Sequence, residues 1–232
     1  MILAIIQARC SSTRLPGKVL KPVLDQPMII RQLERVTRAE RIDRIVVATS
    51  TDPSDDALAD LLTTAGHDVR RGSLNDVAGR FADVVAEFEP DSFVRLTADC
   101  PLTDHEVIDD VIAGHLTSGA DYTSNVIERT YPQGLDVECV TAEAYSRLLQ
   151  FVLNVREREH VTLGIYERPS EFSVHSVTQG VDLSALRWTV DRQDDLDFVR
   201  SVYSHLYSNN PDFNQANVFE LVARVPSLNH EN

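Results

Sequence analysis

The sequence is poor in cysteine, in lysine and in long apolar runs. Three cysteines (Cys10, Cys100, Cys139) in 232 residues, with no C-x-x-C pair, exclude a disulfide framework, a paired-cysteine zinc site and thioredoxin-type redox chemistry. They read as free thiols of a reducing compartment. No stretch nears the roughly 20 apolar residues that a membrane span needs. The opening MILAIIQARC has no cationic segment ahead of its short apolar run, unlike a signal peptide. The expected location is cytoplasmic. Basic charge is scarce too: 22 Lys+Arg face 36 Asp+Glu, a formal net charge of −14. Neutralising nucleic-acid phosphates or docking on an anionic bilayer needs clustered cations, so neither nucleic acid nor membrane is an expected partner.

What is present suits a soluble α/β protein. The 43% hydrophobic and 25% charged fractions argue against disorder. A chain of this length buries roughly 70% of its unfolded surface and needs no staple. Short β-branched runs alternate with amphipathic segments. Strands are expected at Ile2–Ala8, Ile45–Thr49, Asp68–Arg70 and Ser92–Thr97. Helices are expected at Pro27–Glu40, Ser54–Ala65 (capped by Ser54), Asp76–Phe88 and Asp104–Leu116. Strand then helix at this spacing implies right-handed crossovers and a mostly parallel sheet, with ligands beyond the strands' carboxyl ends. The loops after Ala8, Thr49, Arg70 and Thr97 should share one face. Later strands are expected at Gly134–Val140, Glu171–Val177 and Leu186–Val190, and helices at Ala142–Phe151, Arg156–Tyr166 and Asp194–Leu206. No linker or repeat divides the chain. Residues 1–232 form one expected domain, with residues 125–180 as an inserted or flanking lobe.

The charge is unevenly placed. Residues 1–48 hold nine basic and four acidic side chains, a balance of +5, and both lysines of the chain, Lys18 and Lys21, lie there. Two readings stand side by side: a general preference for arginine with the lysines placed by chance, or a Lys18 placed to meet a phosphate as a compact point charge. After the first strand comes Gln7-Ala8-Arg9-Cys10-Ser11-Ser12-Thr13-Arg14-Leu15-Pro16-Gly17-Lys18. Cations, hydroxyls and backbone N–H groups converging on one loop are what a triphosphate requires. It is neither a Walker A motif nor G-x-G-x-x-G, and a solvated polar loop is the plain alternative. Asp99 and Asp191 each follow an apolar run and stand outside the acidic cluster Asp194, Asp195, Asp197. Isolated carboxylates at strand ends suit metal binding, although surface or capping roles are commoner. Asp195-x-Asp197 is not a metal pair, since on a helix these side chains diverge.

The string IIQARCSSTRLPGKVL resembles the signature of cytidylyltransferases that make CMP-activated sugar acids. Among them the chain looks like the spore-coat polysaccharide biosynthesis protein F branch, related to CMP-Kdo and acylneuraminate cytidylyltransferases. The resemblance continues, in order, through RRGSLNDVAGRF, RLTADCPLTD, SGADYTSN, RTYPQGLDVE, REREHVT and LRWTVD. Cys10-Ser11 departs from the branch, which commonly has Met-Gly there. The resemblance implies a Rossmann-like, GT-A-like nucleotidyltransferase fold: a three-layer sandwich with a small second lobe. It implies nucleotide contacts from Ala8, Arg9, Ser12, Arg14 and Lys18, and further along from Arg71, Gly72, Arg80 and Thr97. Lys18, Arg14 and Asp99 are the implied catalytic residues, with Asp99 and Asp191 holding Mg²⁺ as cofactor. Independently of the resemblance, Asp76 and Arg80 are spaced for an i,i+4 ion pair.

On the acceptor side the resemblance implies Asn125, Tyr131, Asp136, Glu138, Glu159 and His160. So many acids suit hydroxyl or amino substituents better than a carboxylate. The expected function is transfer of CMP from CTP to a sugar acid, or a related acceptor, by a homodimer. A glycosyltransferase using a nucleotide-sugar donor and a non-catalytic nucleotide-binding protein are the alternatives.

Overall fold

Strand β1 (Ile2–Gln7) lies at the centre of the fold. Its run Leu3-Ala4-Ile5-Ile6 is apolar throughout because both faces are covered. Ala4 and Ile6 enter one core, Leu3 and Ile5 the other. The structure is a computed structural model and describes residues 1–225 and Leu228. A ribbon of β2 (Pro22–Val23) and β3 (Gln26–Pro27) leads into α1 (Met28–Val36). Alternation follows through β4 (Arg44–Ser50), α2 (Asp56–Thr64), β5 (Asp68–Gly72), α3 (Val77–Phe88), β6 (Ser92–Thr97) and α4 (His105–Ser118). The remainder supplies β7 (Tyr122–Ser124), β8 (Glu138–Thr141), α5 (Ala142–Leu148), α6 (Val155–Glu159), α7 (Leu163–Tyr166), β9 (Val174–Ser176), α8 (Gln193–Leu206) and α9 (Gln215–Arg224).

Among the described residues seven strands form one sheet in the order β5-β4-β1-β6-β8-β7-β9. β5, β4, β1 and β6 are mutually parallel, β8 runs antiparallel to both neighbours, and β9 is parallel to β7. Helices α1, α2, α4, α8 and α9 pack on one face, α3, α5 and α7 on the other. This is the expected Rossmann-like α/β sandwich. The four parallel strands all point their carboxyl ends at one side, and the loops after β1, β4, β5 and β6 meet there.

Several expected elements are shorter or absent. α1 stops at Val36, because the N–H groups of Glu40 and Arg41 are taken by the Asp109 carboxylate, which turns the chain toward β4. The start of α2 is preceded by a 3-10 turn whose cap is Asp52, accepting from the Ser54 N–H, so Ser54 is not the cap. The expected helix Arg156–Tyr166 is two, α6 and α7, broken at Val161, which has φ 55° and is fully buried. Leu186–Val190 is not a strand: its one ladder contact is an isolated bridge from Arg187 to Gln133. The chain crosses there directly over Gly134, whose φ is 105° and where a Cβ would stand 2.8 Å from the Trp188 carbonyl carbon. Gly134–Val140 and Glu171–Val177 likewise shrink to β8 and β9, with Leu135 and Val137 held by the Asn125 side chain and Ser173 by the Asp121 carboxylate.

Candidate active site

The loop after β1 is closed on itself. The Cys10 carbonyl accepts from both Ser12 N–H and Gly17 N–H, each at 2.9 Å. Gly17 turns the chain at φ 67°, in the left-handed region that glycine favours. The 3-10 turn that follows carries Lys18 inward, leaving it 8% exposed. Its ammonium donates to the Val190 carbonyl at 2.6 Å and to Asp191 at 3.1 Å, and reaches Asp99 at 3.5 Å. The two aspartates approach because the Val190 N–H donates to the Asp99 carbonyl at 2.8 Å, joining the loop after β6 to the segment entering α8.

Asp191 has further cationic partners, Arg14 at 2.9 Å and Arg187 at 3.1 Å. Burial alone would raise its carboxyl, but Lys18, Arg14 and Arg187 outweigh that and hold it below the usual carboxylate range. Asp195 braces the same corner. It accepts from the Asp191 and Arg192 N–H groups, both at 2.7 Å, and pairs with Arg187. Against its burial, these partners hold its carboxyl down to about 2.

A cleft of about 390 Å³ opens over this cluster. The loop contributes Arg9, Ser12, Arg14 and Lys18, the sheet ends Gln7, Arg95 and Thr97, and the far wall Glu159 and His160. Arg9 and Glu159 face each other across the cleft at 3.6 Å. A smaller cavity, of about 50 Å³, adjoins it beneath Arg9, with Ala8 and Arg80 in its lining. Arg80 is buried, its Nη1 donates to the Ala48 carbonyl at 3.4 Å, and its Nε has no hydrogen-bond partner. Burial pushes that guanidinium's pKa below its ordinary value.

A cavity at the carboxyl ends of parallel strands, rimmed by a hydroxyl- and arginine-rich loop and floored by an ammonium between two carboxylates, is suited to phosphate chemistry. Residues 3–220 match the family model described as cytidylyltransferase. The chain belongs to the cytidylyltransferase family. It is 33% identical to spore coat polysaccharide biosynthesis protein SpsF of Bacillus subtilis (strain 168) over 232 residues, covering 97% of this chain and 95% of that protein. It is 37% identical to 3-deoxy-manno-octulosonate cytidylyltransferase of Syntrophotalea carbinolica over 114 residues, 48% of this chain and 44% of that one. Among solved structures, a cytidylyltransferase from Leptospira borgpetersenii serovar Hardjo-bovis (strain JB197) matches with a TM-score of 0.93 at 29% identity, covering 100% of this chain and 98% of that chain.

Within this cytidylyltransferase fold, the cleft and its annex bring together Ala8, Arg9, Ser12, Arg14, Lys18, Arg80, Thr97, Asp99, Glu159, His160 and Asp191. Other expected residues lie outside both linings. Arg71 is spent on the Ser50 carbonyl and on Asp56. Gly72 makes room for Arg80, whose Cγ would stand 2.6 Å from a Cβ there. The expected Asp76–Arg80 ion pair does not form. Asp76 caps α3 through the Gly79 N–H and pairs with Arg158 at 2.8 Å, while Arg80 turns inward.

Nor do the expected acceptor residues all reach the cleft. Asn125 is fully buried and clamps the chain opposite it, donating to the Leu135 carbonyl and accepting from the Val137 N–H. Asp136 pairs with Arg129 at 2.6 Å. Tyr131 lines a separate shallow groove near His175. Glu138 is engaged by the Arg95 guanidinium, by the Tyr122 hydroxyl at 2.7 Å and by the Thr162 hydroxyl at 2.6 Å. The acids expected to face an acceptor are therefore largely neutralised within the protein. Gln7 and Arg95, which do line the cleft, are absent from the sequence-based set. Their signal was present: a polar residue inside a buried parallel strand (FVRLT) and another closing an otherwise apolar one (ILAIIQ).

No helix among the described residues is long and apolar enough to cross a membrane. All three cysteines are free and buried.

Proposed function

We propose that the protein transfers CMP from CTP to a hydroxyl of a sugar acid or related acceptor, releasing pyrophosphate, for surface polysaccharide or glycoconjugate synthesis. The observation that carries this is the Lys18 ammonium, buried between Asp99 and Asp191 where the Arg9–Lys18 loop meets the sheet ends. The acceptor oxygen attacks the α-phosphorus. The bond from that phosphorus to the bridging oxygen breaks, pyrophosphate leaves with the electron pair, and the acceptor proton passes to solvent. Arg9, Arg14 and Lys18, with the Ser12 hydroxyl, hold the triphosphate and offset the charge growing on it. Ala8, Thr97 and the buried Arg80 are assigned to the nucleotide side, with Gly72 leaving room for Arg80 and Arg71 bracing the end of β4 through the Ser50 carbonyl.

Mg²⁺ is the cofactor in this proposal, and the donor set fits it. Two carboxylates and the Val190 carbonyl already converge on one cation, the Lys18 ammonium. No cluster of three or more His, Cys, Asp or Glu that could hold a metal exists among the described residues. Mg²⁺ is commonly held by one or two carboxylates, with phosphate oxygens and water completing its shell. When bound it would neutralise phosphate charge. The acceptor side is assigned to Gln7, Arg95, Glu159 and His160. Glu138 acts behind them by holding Arg95, and Asn125, Tyr131 and Asp136 belong to the surrounding loop rather than to the cleft lining. Residues 125–180 are proposed as the acceptor-side lobe through which a cytoplasmic homodimer forms, by analogy with related synthetases.

The test is pyrophosphate release with CTP, Mg²⁺ and a panel of 2-keto-3-deoxy sugar acids, run beside UDP-sugar and CMP-sugar donors. CTP-dependent release with at least one acceptor is expected. Consumption of a nucleotide-sugar donor without pyrophosphate, and no response to CTP, would overturn the assignment.

A further inference from the structure

Asp55 takes no part in the cleft lining, yet its carboxylate is fully buried. It closes the 3-10 turn that follows β4 and immediately precedes α2. A carboxylate there would ordinarily cap the helix, but the Asp55 side chain makes no capping bond to α2. Instead Oδ1 accepts from the Cys10 N–H at 2.6 Å, and Oδ2 accepts from the Ser50 N–H at 3.3 Å and from the Ser50 hydroxyl. It makes no ion pair among the described residues. Three donors from two elements therefore meet one buried charge, which is costly to desolvate unless its lone pairs are filled.

Cys10 is the hinge of the phosphate loop. Its carbonyl holds Ser12 and Gly17, and its N–H is held by Asp55. Both ends of the loop, at Ser12 and at Gly17, thus refer back to one residue, Cys10, and that residue is tied to β4 through Asp55. Burial, reinforced by the Asp55 charge, also pushes the Cys10 thiol up to about 11, which keeps it neutral against the carboxylate.

We infer that Asp55 is a positioning residue for the triphosphate loop. Its carboxylate anchors Cys10 to the end of β4 and so sets the geometry in which Arg9, Ser12, Arg14 and Lys18 meet phosphate groups. This rests on the proposed binding of CTP by that loop. A neutral isostere cannot replace the carboxylate. Asn offers one acceptor oxygen and a donor NH₂, so either Cys10 or Ser50 would face a donor.

The test is calorimetric titration of wild type, Asp55→Asn and Ser50→Ala with CTP and with cytidine, Mg²⁺ present throughout. Cytidine lacks the phosphates and does not need the loop. For Asp55→Asn the Kd for CTP is expected to rise about 10- to 100-fold, the worth of a charge-assisted hydrogen bond, with the Kd for cytidine within about threefold of wild type. Ser50→Ala, which keeps the Cys10 bond and deletes one supporting donor, is expected to weaken CTP about threefold and leave cytidine unchanged. It supplies the answer if Asp55→Asn does not fold. Should the variants keep the wild-type ratio of CTP to cytidine affinity, the role of Asp55 falls while the function stands. Should wild type itself bind CTP no tighter than cytidine, the proposed function falls and this inference with it.

Discussion

Replacing Lys18 by Met removes the one cation among the described residues that reaches both Asp99 and Asp191, at 3.5 and 3.1 Å. Three effects follow, and their sizes differ. The gross Coulomb attraction at such distances is about 5 kcal/mol per pair at an effective dielectric constant near 20. Desolvation of the ammonium, and an Asp99 side chain that is 33% exposed, leave far less as net stability. A loss of about 1–2 kcal/mol in urea unfolding is expected. It falls mainly on Asp99, because Asp191 keeps Arg14 and Arg187. Catalysis loses more. Deleting one donor aimed at developing charge costs about 10²–10³ in kcat. The third effect has the opposite sign: with the competing ammonium gone, Mn²⁺ used as a spin probe should bind the nucleotide-free protein at least about tenfold tighter. Electron paramagnetic titration reads the last effect and pyrophosphate release the second. Turnover within threefold of wild type, or Mn²⁺ affinity unchanged or weakened, would refute the placement of the cation site.

Asp195→Asn tests the corner behind Asp191. A carboxyl held at about 2 against an unfolded value near 3.9 contributes stability that is present above about pH 4 and lost as pH falls through 2. The variant should therefore be about 2 kcal/mol less stable at pH 7, lowering Tm by about 4–8 °C, with the gap closing toward pH 2. A gap independent of pH would assign the loss to packing. Gly134→Ala should cost about 2–4 kcal/mol in thermal unfolding, since its Cβ would meet the Trp188 backbone and its φ is 105°. Glu138→Ala leaves the half-buried Arg95 guanidinium with no carboxylate, holding only Gln7, and takes from the Thr162 hydroxyl its shorter bond beside the Val161 break. It should destabilise by about 3–5 kcal/mol and raise KM for the acceptor more than for CTP, by steady-state kinetics.

The parallel half of the fold was legible because its strands are unusual. β1, β4 and β6 are β-branched runs buried on both faces, and β6 spans the residues expected of it. Lys18, Asp99 and Asp191 were legible for a different reason: each is a charged residue of a scarce or isolated kind next to an apolar run, and the ordered motifs agree. Pairing between distant residues was not legible. Nothing local tells that Glu138 meets Arg95, forty-three positions earlier, or that Asp55 reaches back forty-five positions to Cys10. Leu186–Val190 has the composition of a strand but finds no ladder, because Gly134 admits it at backbone contact instead. The α6–α7 break falls at Val161, where no glycine or proline announces it and the left-handed conformation is imposed by the surrounding contacts.

The central claim, that the cleft activates CTP for attack by an acceptor hydroxyl, is tested most directly by positional tracing. Wild type incubated with Mg²⁺, a panel of 2-keto-3-deoxy sugar acids and CTP labelled either at the α- or at the γ-phosphate should place the α-label on the acceptor product and the γ-label in pyrophosphate. An acceptor carrying the γ-label, or label released only as inorganic phosphate, would contradict it.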